Sequence, residues 1–370
     1  MSDSVAPVVS LLIPVYNVER YLDQCLQSAQ RQTLENIEII CINDGSTDGS
    51  LDIMRAYAAT DARFKIIDKP NSGYGNSMNR GLDACTGTFV GILESDDFLD
   101  SDALEVLSAT AEKHAADVVK SDFYLYWSDA SNCPKAGAKV KDGEVNERFK
   151  WVTAKSAGVY RPLNYLQVFF LKPSIWSALY RRSFLEENSI RFLETPGASY
   201  QDASFNFKVW ASAEKVVLVD RAFLHYRQDN EASSVNSPGK VYCVCDEYDE
   251  MIRYVDTLPE KKDRLRSVLV RMRFDSYMWN YERLSEELQR EFAERMAEDF
   301  RREDAEGVTD YALFDTFKRD RRKLAMDDPV LFHLKTSERA APGKLNTLKR
   351  YYQTGGFPFL VELVKDKLNR

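Results

Sequence analysis

Histidine is scarce in this sequence, with three in 370 residues, and no apolar run reaches the roughly 18 residues a membrane-spanning helix needs. The expectation is a chain that does not cross a membrane. The opening "MSDSVAPVVS" lacks a basic region and a long apolar stretch, so it is not expected to act as a signal peptide. The six cysteines (Cys25, Cys41, Cys85, Cys133, Cys243, Cys245) show neither zinc-ligand nor disulfide-framework spacing. Cys25, Cys41 and Cys85 fall in apolar-periodic segments, as buried small hydrophobes do, and a reduced, cytoplasmic setting fits them. There is no surplus of basic residues either. A net charge of −8 argues against a general nucleic-acid binder.

What is present is the composition of a folded chain: 44% hydrophobic and 29% charged residues, long enough for one large or two modest domains. The first 125 residues alternate short apolar runs with helical periodicity. "VVSLLIPVYN" (8–17) reads as a buried strand breaking at Pro14, and "RYLDQCLQSAQRQ" (20–32) as a helix. Strands follow at 37–44, 64–68, 89–94 and 116–127, with helices at 49–59, 73–85 and 102–114. Such alternation with short links means a mainly parallel sheet covered by helices, and ligands bind beyond the carboxyl ends of its strands. "PVYN", "NDGSTD" and "ESDD" all fall at those ends.

The polar stretch 128–160 reads as a hairpin or loop. Residues 161–235 mix helices ("PLNYLQVFFL", "ASFNFKVWASA") with a strand ("KVVLVDRAFLHYR"). From about 240 to 305 the periodicity is helical. The expected division is 1–238, with parts at about 8–127 and 128–238, followed by a helical region 239–370. The last 30 residues carry six Lys/Arg against Glu362 and Asp366, so the first 340 hold a net −12. That basic tail, rich in aromatic and aliphatic residues, suits an anionic membrane surface, a docked terminal helix or a second subunit.

"GILESDDFLD" (91–100) sets Glu94, Asp96 and Asp97 directly behind an apolar strand. Like charges so close raise one another's pKa. Water disperses them in a turn that caps the next helix, or a hard divalent cation gathers them beside a diphosphate. Ser46, Thr47 and Asp48 read as turn and cap residues. Asp44 precedes that turn, where a carboxylate can accept an N–H from a base.

The blocks "SLLIPVYNVERYLDQCLQSAQRQT", "IICINDGSTDGS", "NSGYGNSMNRGLDACTGTFVGILESDDFLD" and "YQDASFNFKVW" together resemble the bacterial family 2 glycosyltransferases of the GT-A fold, across about residues 8–235. The resemblance implies an α/β, Rossmann-like, mixed and mainly parallel sheet flanked by helices. It also implies an inverting transferase that uses a UDP-sugar with Mn2+ or Mg2+. Carried over, Pro14, Tyr16 and Glu19 flank the nucleotide base, Asp44 takes the uracil N–H, and Asn79 and Arg80 lie near ribose and diphosphate. Arg80 can equally be a structural ion pair. Ser95 and Asp96 belong to the donor site, and Glu94, Asp96 and Asp97 to the metal motif, with Glu94 standing where Asp is usual. In the acceptor-side block Gln201 replaces a Glu and Asp202 remains, as base or helix cap. His225 is a metal or phosphate ligand or a structural histidine, and Arg227 a phosphate clamp. Trp176 and Tyr180 stack an acceptor sugar or pack in the core on a helix.

A sugar nucleotidyltransferase or a dehydrogenase would need a Gly-rich phosphate loop after the first strand, and "LLIPVYNVERYL" has none. A catalytically inactive nucleotide-sugar-binding or assembly module is the remaining alternative. The expected partners are a UDP-sugar and a glycan, lipid-linked or cell-envelope acceptor. The expected place is the cytoplasm, with the tail as the route to a membrane face or a second subunit.

Overall fold

The structure, a computed structural model, describes residues 6–133, 140–141, 144–149, 157–197, 200–230 and 241–337. The chain divides into two compact units, residues 1–236 and 237–370. The first begins β1 (Val9–Val15), α1 (Glu19–Gln30), β2 (Ile37–Asp44), α2 (Ser50–Thr60), β3 (Phe64–Lys69), α3 (Tyr74–Ala84) and β4 (Phe89–Ile92). It continues through β5 (Phe98–Leu99), α4 (Ala103–His114), β6 (Val118–Trp127), β7 (Val140–Lys141), β8 (Glu144–Phe149) and β9 (Gly158–Tyr160). It closes with β10 (Ala178–Arg181), α5 (Arg182–Glu187), α6 (Gln201–Ser212) and β11 (Val216–Arg227).

The sheet runs β3-β2-β1-β4-β10-β6-β11-β5. β1 is parallel to β2 and β4, β2 to β3, and β6 to β11, while β10 lies antiparallel between β4 and β6. Every residue of β1 and β2 is buried, which explains their near-continuous apolar runs: both faces are covered. Helix α1 turns Leu22, Cys25, Leu26 and Ala29 inward, the stripe its periodicity predicts. The chain adds β2 and β3 on one side of β1 and then β4 on the other. That reversal opens a crevice at the carboxyl ends, and the motif residues sit there.

Three expectations need correction. β1 does not break at Pro14, which pairs with Ile42 on β2. The pairing with β4 ends at Leu12–Ile92, so on that side the missing N–H costs no ladder bond. "PLNYLQVFFL" forms two short 3-10 turns, Pro162–Asn164 and Leu166–Phe170, rather than an α-helix. The segment with Trp176 and Tyr180 is a 3-10 turn entering β10, not a helix, because those residues complete the sheet between β4 and β6. The 128–160 stretch contains the β7–β8 hairpin, with β8 antiparallel to β6.

The second unit is helical: α7 (Cys243–Asp256), α8 (Lys262–Arg283), α9 (Glu286–Ala305), α10 (Thr316–Asp327) and α11 (Pro329–Ser337). Phe274, Tyr277, Phe292, Met296 and Phe300 fill its core. Among the described residues no helix is long and apolar enough to cross a membrane. The basic tail lies outside the described residues.

Candidate active site

At the end of β1 the chain leaves the sheet through Tyr16, half exposed, and Asn17, whose φ of +52° is left-handed. The loop is tied to the turn after β2. Asn17 donates its N–H to Ser46 Oγ at 3.1 Å, and its Oδ1 accepts from the Thr47 amide at 2.8 Å. Pro14 stays buried in the strand. The Glu19 carboxylate accepts the Gly49 N–H at 2.6 Å, so Glu19 caps the start of α2 instead of reaching along the crevice.

Asp44 ends β2 almost fully buried. It accepts the amides of Ser72 and Gly73 at 2.8 and 3.0 Å and pairs with Lys69. The carboxylate thereby orders the 70–73 turn that leads into α3. Tyr74, in the first turn of α3, donates its hydroxyl to Glu94 Oε1 at 2.7 Å. The buried Asn79 amide is engaged by residues 192–194. Arg80 is exposed and acts on Glu194 through its charge.

The acidic turn 94–97 closes with the Asp97 N–H donating to the Glu94 carbonyl at 3.0 Å, with Ser95 buried inside it. Asp97 is 1% exposed. Its Oδ1 accepts the Arg227 N–H at 2.8 Å and its Oδ2 has no partner. Half-buried Asp96 accepts the Asn230 side-chain amide at 2.8 Å. Burial pushes the Glu94 carboxyl up to about 8, with the Asp96 and Asp202 charges adding and the Tyr74 hydrogen bond opposing. Asp97 is raised for the same first reason, with Asp96 and Glu94 adding to it.

Asp202 lies in the first turn of α6, which Tyr200 enters with φ +58°. Burial lifts its carboxyl to about 6, while the Ala203 amide and the Lys172 ammonium pull the other way. Lys172, 4.1 Å from the Tyr226 ring centroid, is lowered by desolvation and raised by Asp202 and Asp97. Nothing in the periodicity marks Lys172, Tyr74 or Asn230. Their roles follow from contacts with residues far along the chain.

Several expected site residues have other partners. His225 is sandwiched between Phe98 at 4.3 Å and Tyr124 at 4.8 Å. Its ring nitrogens meet Asn146 Oδ1 at 2.6 Å and Asp100 Oδ1 at 3.0 Å, which leaves neither for the 94–97 carboxylates. Arg227 is a buried brace rather than a phosphate clamp. It donates to the Asp96 carbonyl at 2.8 Å and to Gln24 at 2.5 Å, between the rings of Tyr21 and Tyr126. Tyr180 is 1% exposed and donates its hydroxyl to the Ile175 carbonyl at 2.7 Å; it packs in the core. Trp176, also buried, stacks on Tyr226 at 4.9 Å. Gln201 donates to Thr195 Oγ1 at 2.8 Å and so holds the preceding loop.

The crevice thus gathers Glu94, Asp96, Asp97 and Asp202 with little compensating charge. Among the described residues no three His, Cys, Asp or Glu side chains already stand as a ligand group. The oxygen-only donors and the unpartnered Asp97 Oδ2 nonetheless fit a hard divalent cation.

The sheet with this strand reversal, followed by a helical region, agrees with the GT-A fold that the sequence motifs imply. The solved structure of S. aureus TarS residues 1–349 in complex with UDP-GlcNAc shares the fold, with a TM-score of 0.70 at 18% identity over 94% of this chain and 92% of that one. Residues 10–187, just under half of the chain, match the glycosyl transferase family 2 model. The uncharacterized glycosyltransferase EpsJ of Bacillus subtilis is 33% identical over 227 residues. The match covers 60% of this chain and 62% of that protein, so the chain spans about six tenths of that relative's length. The cholesterol galactosyltransferase of Borreliella burgdorferi is 31% identical over 58% of each chain.

Proposed function

We propose that the protein transfers a hexose or N-acetylhexosamine from a UDP-sugar to a hydroxyl of a glycan, lipid-linked or cell-envelope acceptor, with inversion. The observation that carries this reading is the crowding of Glu94, Asp96 and Asp97, just beyond β4, with Asp202 in the first turn of α6, whose carboxyl burial raises to about 6. The names of two similar proteins support it: one is a galactosyltransferase, and TarS was solved with UDP-GlcNAc.

Exposed Tyr16 offers a ring face for the uracil. Asp44 accepts three donors in ordering the turn, and a carboxylate has about four lone-pair positions, so one is left for the imino N–H. Asp202 takes the proton of the acceptor hydroxyl as its oxygen bonds to the anomeric carbon. The bond from that carbon to the diphosphate breaks, and its electron pair leaves with UDP. A single displacement inverts the centre, so one base suffices. A base of pKa about 6 is ionised at neutral pH and still basic enough to accept the proton. Asp96 and Glu94 would hold a Mn2+ or Mg2+, which supplies charge neutralisation for the departing diphosphate. Arg227 and Tyr74 hold the acidic turn and Glu94 in position. For the basic stretch 341–370, contact with an anionic lipid surface and self-association are alternatives that liposome co-sedimentation separates.

A donor screen reading UDP release tests the proposal. Release from one or more UDP-sugars should require Mn2+ or Mg2+, vanish in EDTA and fall by orders of magnitude in Asp96→Ala. Full activity in EDTA would remove the cation from the reading. No release from any donor would remove the transfer itself.

A further inference from the structure

We infer that Asn79 and Glu194 form a clasp that sets the position of Asp202 against the donor side of the crevice, making both positioning residues for the transfer. The inference rests on the proposed role of Asp202. Asn79, buried on α3, treats Phe192 as a strand would: its Oδ1 accepts the Phe192 N–H at 2.9 Å and its Nδ2 donates to the Phe192 carbonyl at 3.0 Å. The same Nδ2 donates to Glu194 Oε1 at 2.8 Å, and Asn76, one turn earlier, donates to Oε2 at 2.8 Å. The two amides hold the Glu194 carboxyl below its ordinary range, so it stays a charged acceptor at neutral pH.

The clasped segment reaches α6 directly. Thr195 Oγ1 and the Gly197 carbonyl accept the Gln201 side-chain amide at 2.8 and 3.3 Å, and Gln201 adjoins Asp202. The Phe192 ring stacks on Phe205 of α6 at 4.2 Å. On its other side the first turn of α3 faces the donor groups. Tyr74 reaches Glu94, the Ser72 and Gly73 amides reach Asp44, and Ser72 Oγ donates to Asn76 Oδ1 at 2.9 Å. The Tyr74 N–H meanwhile donates to the Gly197 carbonyl at 2.9 Å. Two glycines permit this approach. A Cβ on Gly75 would collide with the Leu193 carbonyl, and Gly73, at φ +91°, would bring one within 2.8 Å of the Thr195 carbonyl. Asn79 secures the backbone, whereas Glu194 is exposed and adds little to the core. Its geometric consequence is the register of 192–197, and with it the base.

The test is Glu194→Ala in the full chain, with kcat, donor KM, UDP affinity and hydrogen exchange of the 201–205 amides measured. The expected result is a kcat lower by about 10- to 100-fold, as for a reacting group displaced by about an ångström. UDP affinity should hold, and exchange should quicken in the first turn of α6. In an Asp202→Asn background the same change should cost nothing further in kcat, because the two act through one group. Additive losses, or a kcat equal to wild type, overturn the clasp. A wild type whose turnover ignores Asp202→Asn overturns the functional reading and the clasp together. If Glu194→Ala fails to fold, Asn76→Ala removes one of the two donors and is read by the same criteria.

Discussion

Both units bury charge, and the crevice of the first treats it differently from the core of the second. In the helical unit the buried carboxylates Asp299 and Glu303 have arginine partners. Asp299 receives Arg295 at 2.9 Å, Arg302 at 2.5 Å and the Tyr277 hydroxyl at 2.7 Å, and Tyr277, Arg273 and Arg295 hold its pKa down against burial. Arg322, wholly buried, donates to Asp304, Glu303, Tyr311 and the Phe300 carbonyl. Even there burial wins at Glu303, whose pKa is raised despite Arg273 and Arg322. In the crevice of the α/β unit Glu94, Asp97 and Asp202 are raised by burial, and other carboxylates add to the rise at Glu94 and Asp97. Matched buried charge specifies packing, whereas unmatched like charge is retained at a cost to stability and marks a place awaiting a ligand.

The largest test of that contrast is Asp202→Asn. It should lower kcat by about 10² to 10⁴, the range for loss of a general base, and leave UDP affinity nearly unchanged. A variant that binds UDP poorly while keeping its kcat would make Asp202 a structural residue and erase the distinction between the units.

Next in size is Arg322→Met in the helical unit. It leaves buried Glu303 with Arg273 as its one remaining basic partner among the described residues and should cost about 3–5 kcal/mol in unfolding free energy. Chemical denaturation reads the loss, and UDP binding in the native baseline should persist. A cost below about 1 kcal/mol would mean that solvent already screens the network.

The smallest effect carries the sign of the contrast. Glu94 titrates near 8 instead of 4.5, so the folded protein holds its proton over the intervening range and stability falls as pH rises through it. Asp299, being lowered, contributes stability above its ordinary value and loses it as pH falls through the folded value. Without divalent cation, Glu94→Gln should gain on wild type by about 1–2 kcal/mol between pH 5 and pH 9, since solvent reaching the half-buried carboxyl trims the effect. Thermal unfolding across that range decides. A gain growing toward acid pH instead would refute the assignment.

Much of the α/β unit was legible along the chain. Burial on both faces leaves unbroken apolar runs, as in 37–44, and helices leave a stripe such as Leu22, Cys25, Leu26 and Ala29. Strand ends are then countable, which placed Tyr16, Asp44 and Glu94–Asp97 at one edge. The segment 178–181 misled because "SIWSALYRRSFL" is apolar at helical and strand spacings alike, and a four-residue strand is too short for its period to decide.

By itself the sequence determined the order of elements and the acidic character of the crevice, since each is written in local pattern and residue type. Partner choice was decided only in the tertiary structure. Asn79 meets Phe192 across 113 positions, His225 meets Asp100 across 125 and Arg227 meets Asp96 across 131. A polar side chain has the same donors and acceptors wherever it stands, and which of them remain for a ligand depends on what long-range packing has already brought within about 3 Å.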